Sequence, residues 1–185
     1  MTHRIVIKLF AESDTFAPDA FVPVLHSWIQ FEQVPDHLLV DVADYGHVPD
    51  GPGTVLVSHE ANFYVDRLGG RLGITYQRKT PAPGPFRDQL RQAILAAKRA
   101  ADLLEQDGRL DGKLRFRTDE VEVRLADRLH APNTPDTFAA VRGDVRAVLR
   151  ELFGREMDLA HVDEPRGLLT IRATAAGRAA PVGAV

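Results

Sequence analysis

The sequence predicts an α+β protein, an antiparallel sheet with helices packed mainly on one face. Three observations lead there. Short segments of period-two alternation recur along the chain, and two stretches place apolar residues at helical spacing between proline and glycine punctuation. From Arg71 onward the order reads strand, helix, strand, strand, helix, strand, the split βαβ of a ferredoxin-like sandwich in residues 71–174. Residues 4–67 offer strand, helix, strand, strand, which either doubles or extends the same layer.

RIVIKLF (4–10) alternates apolar and polar side chains with β-branched members and reads as a strand. DTFAPDAFVPVLHSWIQFEQ (14–33) sets Phe21, Leu25, Trp28 and Ile29 on one helical face, while Pro18 and Pro23 hold regular helix back to about Asp19 or Ala20. LLVDVADY (38–45) is the next strand, followed by the loop GHVPDGPG (46–53) and by TVLVSHEANFYVD (54–66), read as one continuous strand. In RLGGRLGITYQRK (67–79), Gly69-Gly70 suits a tight type I′ turn. That turn sets Leu68 opposite Arg71, Phe63 opposite Tyr76, Asn62 opposite Gln77 and Glu60 opposite Lys79.

TPAPGP (80–85) interrupts the pattern, and Pro85 begins a long helix with Leu90, Ile94, Ala97, Ala101 and Leu104 on one face and Gly108 just past its end. LRFRTDEVEVRLADRL (114–129) reads as two strands around a turn at Thr118-Asp119. In the following helix Thr134 is the N-cap, Pro135 the first helical residue and Gly154 the stop. GLLTIRATA (167–175) is the last strand, paired with EMDLAHV (156–162). Residues 1–174 thus form one α+β domain of two intimately packed halves, 1–80 and 71–174, and the Ala/Gly/Pro-rich stretch 175–185 is a flexible tail.

Among 185 residues, 44% are hydrophobic and 26% charged, the composition of a soluble globular protein. No cysteine is present, which excludes disulfides, thiolate metal sites and cysteine nucleophiles and fits a cytoplasmic home. Twenty-three basic against 26 acidic residues give a formal charge of −3, so nucleic acid is not expected as a partner. The opening apolar run is too short and too alternating for a signal peptide, and no stretch approaches the ~20 apolar residues of a membrane span. Abundant arginine and alanine suit a GC-rich bacterial genome.

Titratable groups concentrate between His47 and Asp66. In a continuous strand, His59 shares the apolar face with Val57, Ala61 and Phe63, whereas Ser58, Glu60, Asn62 and Tyr64 lie on the other, so His59 and Glu60 cannot serve one reacting bond. Pairing Val40 with His59 and Val42 with Val57 keeps the valines in the core. A one-residue slip or bulge would set Asp41 across from His59 and orient its imidazole as a general base. His47 is several strand residues away, and no metal centre or cofactor is expected here. Pro49-Asp50-Gly51 is turn chemistry. Elsewhere, Arg115, Arg117 and Arg128 either pair across strands or clamp an anion, and His130, Asn133, Thr134 and Asp136 precede a helix.

Two functions follow. The favoured one is a non-enzymatic module that binds a protein, itself or a small polar ligand through a polar sheet face carrying Ser58, Glu60, Asn62, Tyr64, Gln77 and Lys79. The alternative is an enzyme acting on a small polar metabolite near residues 46–62, with His59 or His47 as base assisted by Asp41 or Asp44. Neither involves a membrane.

Overall fold

The computed structural model describes residues 4–48, 50–80, 82–164 and 166–177. Its strands are β1 (Ile5–Ala11), β2 (Leu39–Asp44), β3 (Thr54–Ser58), β4 (Ala61–Asp66), β5 (Gly73–Arg78), β6 (Phe116–Leu125), β7 (Met157–Val162) and β8 (Leu169–Ala175). The helices are α1 (Val22–Gln30), α2 (Phe86–Gln106) and α3 (Pro135–Phe153). All eight strands join one sheet in the order β2-β3-β4-β5-β1-β6-β8-β7, with every neighbouring pair antiparallel.

From β5 onward the order is strand, helix, strand, helix, strand, strand, which replaces the expected ferredoxin-like order. Residues 116–125 are one strand, without a turn at Thr118-Asp119. A tight reversal there would need residues that accept positive φ, and Thr-Asp supplies no glycine. Instead Val121, Val123 and Leu125 continue the alternation against Leu9, Ile7 and Ile5, and a register shift between Leu9 and Ala11 absorbs the rest of the strand. β1, from the beginning of the chain, therefore lies between β5 and β6, and residues 4–66 extend the same sheet.

The helix boundaries follow their caps. Thr134 accepts a hydrogen bond from the Thr137 N–H, Pro135 occupies the first turn, and Gly154 closes α3 with φ 67°. α2 starts after Pro85 and stops at Gln106, where Asp107 leaves helical geometry and its carboxylate accepts from the Arg109 N–H.

Val24, Leu25 and Trp28 of α1, Leu90, Ile94, Ala97 and Leu104 of α2, and Val145, Val148 and Leu149 of α3 form one buried cluster with alternate strand residues. Those include Ile5, Ile7 and Leu9, Phe63 and Val65, Ile74 and Tyr76, Val121 and Val123, and Ile171. The intervening side chains Val6, Lys8, Phe10, Val55, Thr75 and Glu120 are also buried but stand outside that cluster. They belong to the opposite face of the sheet, since successive strand residues point to opposite sides. β8 runs through Ala175, and the remainder of the expected tail, residues 178–185, lies outside the described residues.

Candidate functional site

The stretch expected to be one strand is a hairpin. β3 ends at Ser58 and β4 begins at Ala61, so His59-Glu60 is a two-residue turn. The Ser58 hydroxyl donates to the Ala61 carbonyl at 2.6 Å and accepts from the Ala61 N–H at 3.1 Å, which closes the turn without glycine. Because the chain reverses there, Leu56 pairs with Phe63 and Val57 with Asn62. Ser58 consequently sits on the core side with 0% exposure, and His59 is exposed at the tip.

Glu60 reaches across the turn: its Oε2 accepts from the Leu38 N–H at 2.9 Å. Partial burial acts to raise its carboxyl pKa, but this hydrogen bond, helped by its own N–H and by the charges of His37 and His59, holds it below the ordinary value. Lys79 follows β5, and its N–H donates to the Glu60 carbonyl at 2.9 Å.

Neither expected register of β2 is adopted. A bulge between Leu39 and Asp41 sets Leu39 against Ser58, Asp41 against Val57 and Val42 against Leu56. The Asp41 carboxylate accepts from the Val42 N–H at 2.8 Å, and the His59 N–H donates to the Leu38 carbonyl at 2.9 Å. The structure thus does not bring Asp41 to His59. His47 is exposed in the loop beyond the other end of β2.

The β4–β5 register is the expected one, with Phe63 opposite Tyr76 and Asn62 opposite Gln77. Gly69 and Gly70 both take positive φ, 72° and 70°, at the connecting turn. Asn62, Tyr64, Thr75 and Gln77 therefore share the face opposite the helix-bearing cluster, joined by Val6, Val55 and Val57. The Asn62 amide donates to the Tyr64 hydroxyl at 3.0 Å.

Two charged devices on this face escape a motif search. The Lys8 ammonium donates to Asp66 Oδ1 at 2.6 Å and to the Leu68 carbonyl at 2.9 Å, while the Thr75 hydroxyl and the Leu68 N–H donate to the same carboxylate. Lys8 and Asp66 are each 1% exposed. Gly73 makes room for the lysine stem, because a Cβ there would lie 2.8 Å from Lys8 Cε and 2.6 Å from the Leu9 carbonyl oxygen. Lys8 was visible in the sequence only as the polar member of RIVIKLF.

The second device is a strap across the sheet. Arg71, two residues before β5, lies 3.9 Å over the Phe10 ring and donates two hydrogen bonds, at 2.6 and 2.8 Å, to Glu120 of β6. Burial acts to raise the Glu120 pKa, and the Arg71 guanidinium outweighs it, leaving the carboxyl below its ordinary 4.5. A folded-state pKa below the unfolded one gives stability that is present above pH 4.5 and lost as pH falls through the lowered value. Glu120→Gln is expected to cost about 1–3 kcal/mol at neutral pH. Urea denaturation below pH 4.5 should show the gap from wild type closing.

The other candidates have structural partners. Arg117 pairs with Asp119 and Glu120, Arg115 donates to the Leu114 carbonyl, and Arg128 to the Arg166 carbonyl. His130 contacts Asp127, and the Asn133 amide donates to the carbonyls of Val162 and Glu164. Among the described residues no group of three or more His, Asp or Glu is placed to hold a metal ion. No helix of the described residues is long and apolar enough to cross a membrane. No protein-family description, curated protein or solved structure matches this chain.

Proposed function

We propose that the protein is a non-enzymatic module that self-associates through the sheet face carrying Asn62, Tyr64, Thr75 and Gln77. The observation that supports this reading is the distribution of charge on that face. Its accessible centre, on β3, β4 and β5, consists of Val57, Asn62, Tyr64 and Gln77, laid over the buried Val6, Val55 and Thr75, and the ammonium of Lys8 is buried there on Asp66. Charges flank it: Asp41 on β2, Glu122 and Arg124 on β6, and Arg172 on β8, the last two within 3.2 Å of Glu122. An uncharged core with an aromatic side chain and a polar, paired rim is the anatomy of protein interfaces. The partner is a second copy of the chain, packing face to face. In this reading the protein works in a bacterial cytoplasm, where a chain without cysteine forgoes nothing.

Sedimentation equilibrium of the full chain over a wide concentration range tests the proposal. A reversible dimer is expected, and Tyr64→Lys should weaken it by about 2 kcal/mol, roughly thirtyfold in Kd, by burying an unpaired charge at the centre. A chain that stays monomeric throughout, or a dimer indifferent to Tyr64→Lys and Gln77→Lys, would rule this face out.

A further inference from the structure

On the opposite side of β5 a cleft of ≈520 Å³ opens between the α1–β2 connection and α2. Three elements line it. Val34, Pro35, Asp36 and His37 come from the connection, Tyr76 and Arg78 from alternate positions of β5, and Gln92, Leu95, Ala96 and Arg99 from one face of α2 at helical spacing. Tyr76 is 2% exposed, and its hydroxyl lies between His37 Nε2 and Arg78 Nη1, both from residues of the cleft lining.

The hydrogen bonds around that hydroxyl have a direction. His37 Nδ1 lies 3.1 Å from the Pro35 carbonyl, which only accepts, so Nδ1 holds the proton. His37 Nε2 lies 3.4 Å from the Tyr76 hydroxyl. Arg78 Nη1 donates to the phenol oxygen at 3.5 Å and Arg78 Nε to the Thr80 carbonyl at 3.0 Å. No carboxylate is within ion-pair distance of Arg78 or Arg99 among the described residues.

We infer that this cleft binds a small organic monocarboxylate with an apolar body. Arg78 and Arg99 approach from two elements and supply the N–H donors that a carboxylate accepts in pairs. Val34, Leu95 and Ala96 provide the apolar wall, and Leu95, 47% exposed, is one of the few large hydrophobic side chains left open to solvent. Two guanidiniums against the Asp36 carboxylate leave one net positive charge among these groups, which matches a monoanion. A phosphate dianion would leave that balance negative. The site faces away from the self-association face, since Tyr76 and Arg78 alternate with Thr75 and Gln77 along β5.

The test is an NMR titration of the full chain, backbone amides observed, with sodium hexanoate at fixed ionic strength, and separate titrations with hexanol and with inorganic phosphate. Saturable shifts confined to residues 34–38, 76–78 and 92–99 are expected with hexanoate alone. Arg78→Gln and Arg99→Gln should each weaken hexanoate about tenfold, and Leu95→Ala should weaken it as well without adding a charge beside either guanidinium. Arg99 is exposed on α2, so its variant keeps the test decisive where Arg78→Gln fails to fold. No saturable response to hexanoate would overturn the inference, as would an equal response to hexanol, an equal or stronger response to phosphate, or affinity unchanged in Arg99→Gln.

Discussion

Asp66→Ala is expected to lower the unfolding free energy by about 3–5 kcal/mol, because it leaves a buried ammonium without its counter-charge. Lys8 and Asp66 are almost wholly sequestered, and the carboxylate also accepts from Thr75 and the Leu68 N–H, so the substitution orphans three donors. Urea denaturation of Asp66→Ala, Lys8→Met and the double variant isolates the pair. Lys8→Met leaves a carboxylate that still holds two hydrogen bonds, and the double variant is expected to be more stable than Asp66→Ala alone. A loss below about 1 kcal/mol in Asp66→Ala would show that the ammonium finds water when its partner goes, as exposed pairs do.

The same pair carries a pH signature of the same sign as that of Glu120, displaced to the alkaline range. Burial lowers the Lys8 pKa from 10.5, with Asp66 acting against the shift. Between that lowered value and 10.5 the unfolded chain binds a proton the native protein has released, so this group makes stability rise with pH. Without Asp66 only the weaker attraction of Glu122 opposes desolvation, and the window widens downward. The loss in Asp66→Ala should therefore shrink as the pH becomes alkaline, whereas a loss independent of pH would mean Lys8 is neutral in both proteins.

Local rules were enough where local chemistry decides. Thr134, Pro135 and Gly154 bound α3 because capping and φ preferences act within one turn, and Gly69-Gly70 fixed the β4–β5 register for the same reason. The turn at His59-Glu60 was not legible, since it is closed by the hydroxyl of Ser58 and by Leu38, whose N–H Glu60 holds, twenty-two residues earlier in the chain. At Thr118-Asp119 the error ran the other way: polar residues suggested a turn, and the strand instead takes up an irregularity there, between Phe116 opposite Ala11 and Val121 opposite Leu9. The cleft was invisible because His37, Tyr76 and Arg99 belong to three elements that only the sheet order brings together. One signal was present: Arg78 continues the core-facing stripe of Ile74 and Tyr76, a cation where an apolar residue would be expected.

The GPG corner that precedes β3 is expected to be as sensitive as the buried ion pair. Gly53 has φ 68°, and a Cβ there would overlap the Val65 carbonyl oxygen while lying 3.0 Å from its carbon and 3.1 Å from Asp66 Cα. These are backbone atoms of β4, so no side-chain rotation relieves the clash, and the first rung of the hairpin, Thr54 against Val65, must separate. Gly53→Ala adds left-handed strain of about 1–2 kcal/mol to an overpacking cost of about 1–3 kcal/mol. Gly69→Ala is the matched control: φ is 72°, and nothing lies within 4 Å of the added carbon. It should cost only the strain, about 1–2 kcal/mol. Thermal unfolding of the two variants separates conformation from contact, and equal losses would show that the Val65 carbonyl yields freely. A larger loss in Gly53→Ala would also reach Asp66, the next residue, and so loosen the carboxylate that holds Lys8.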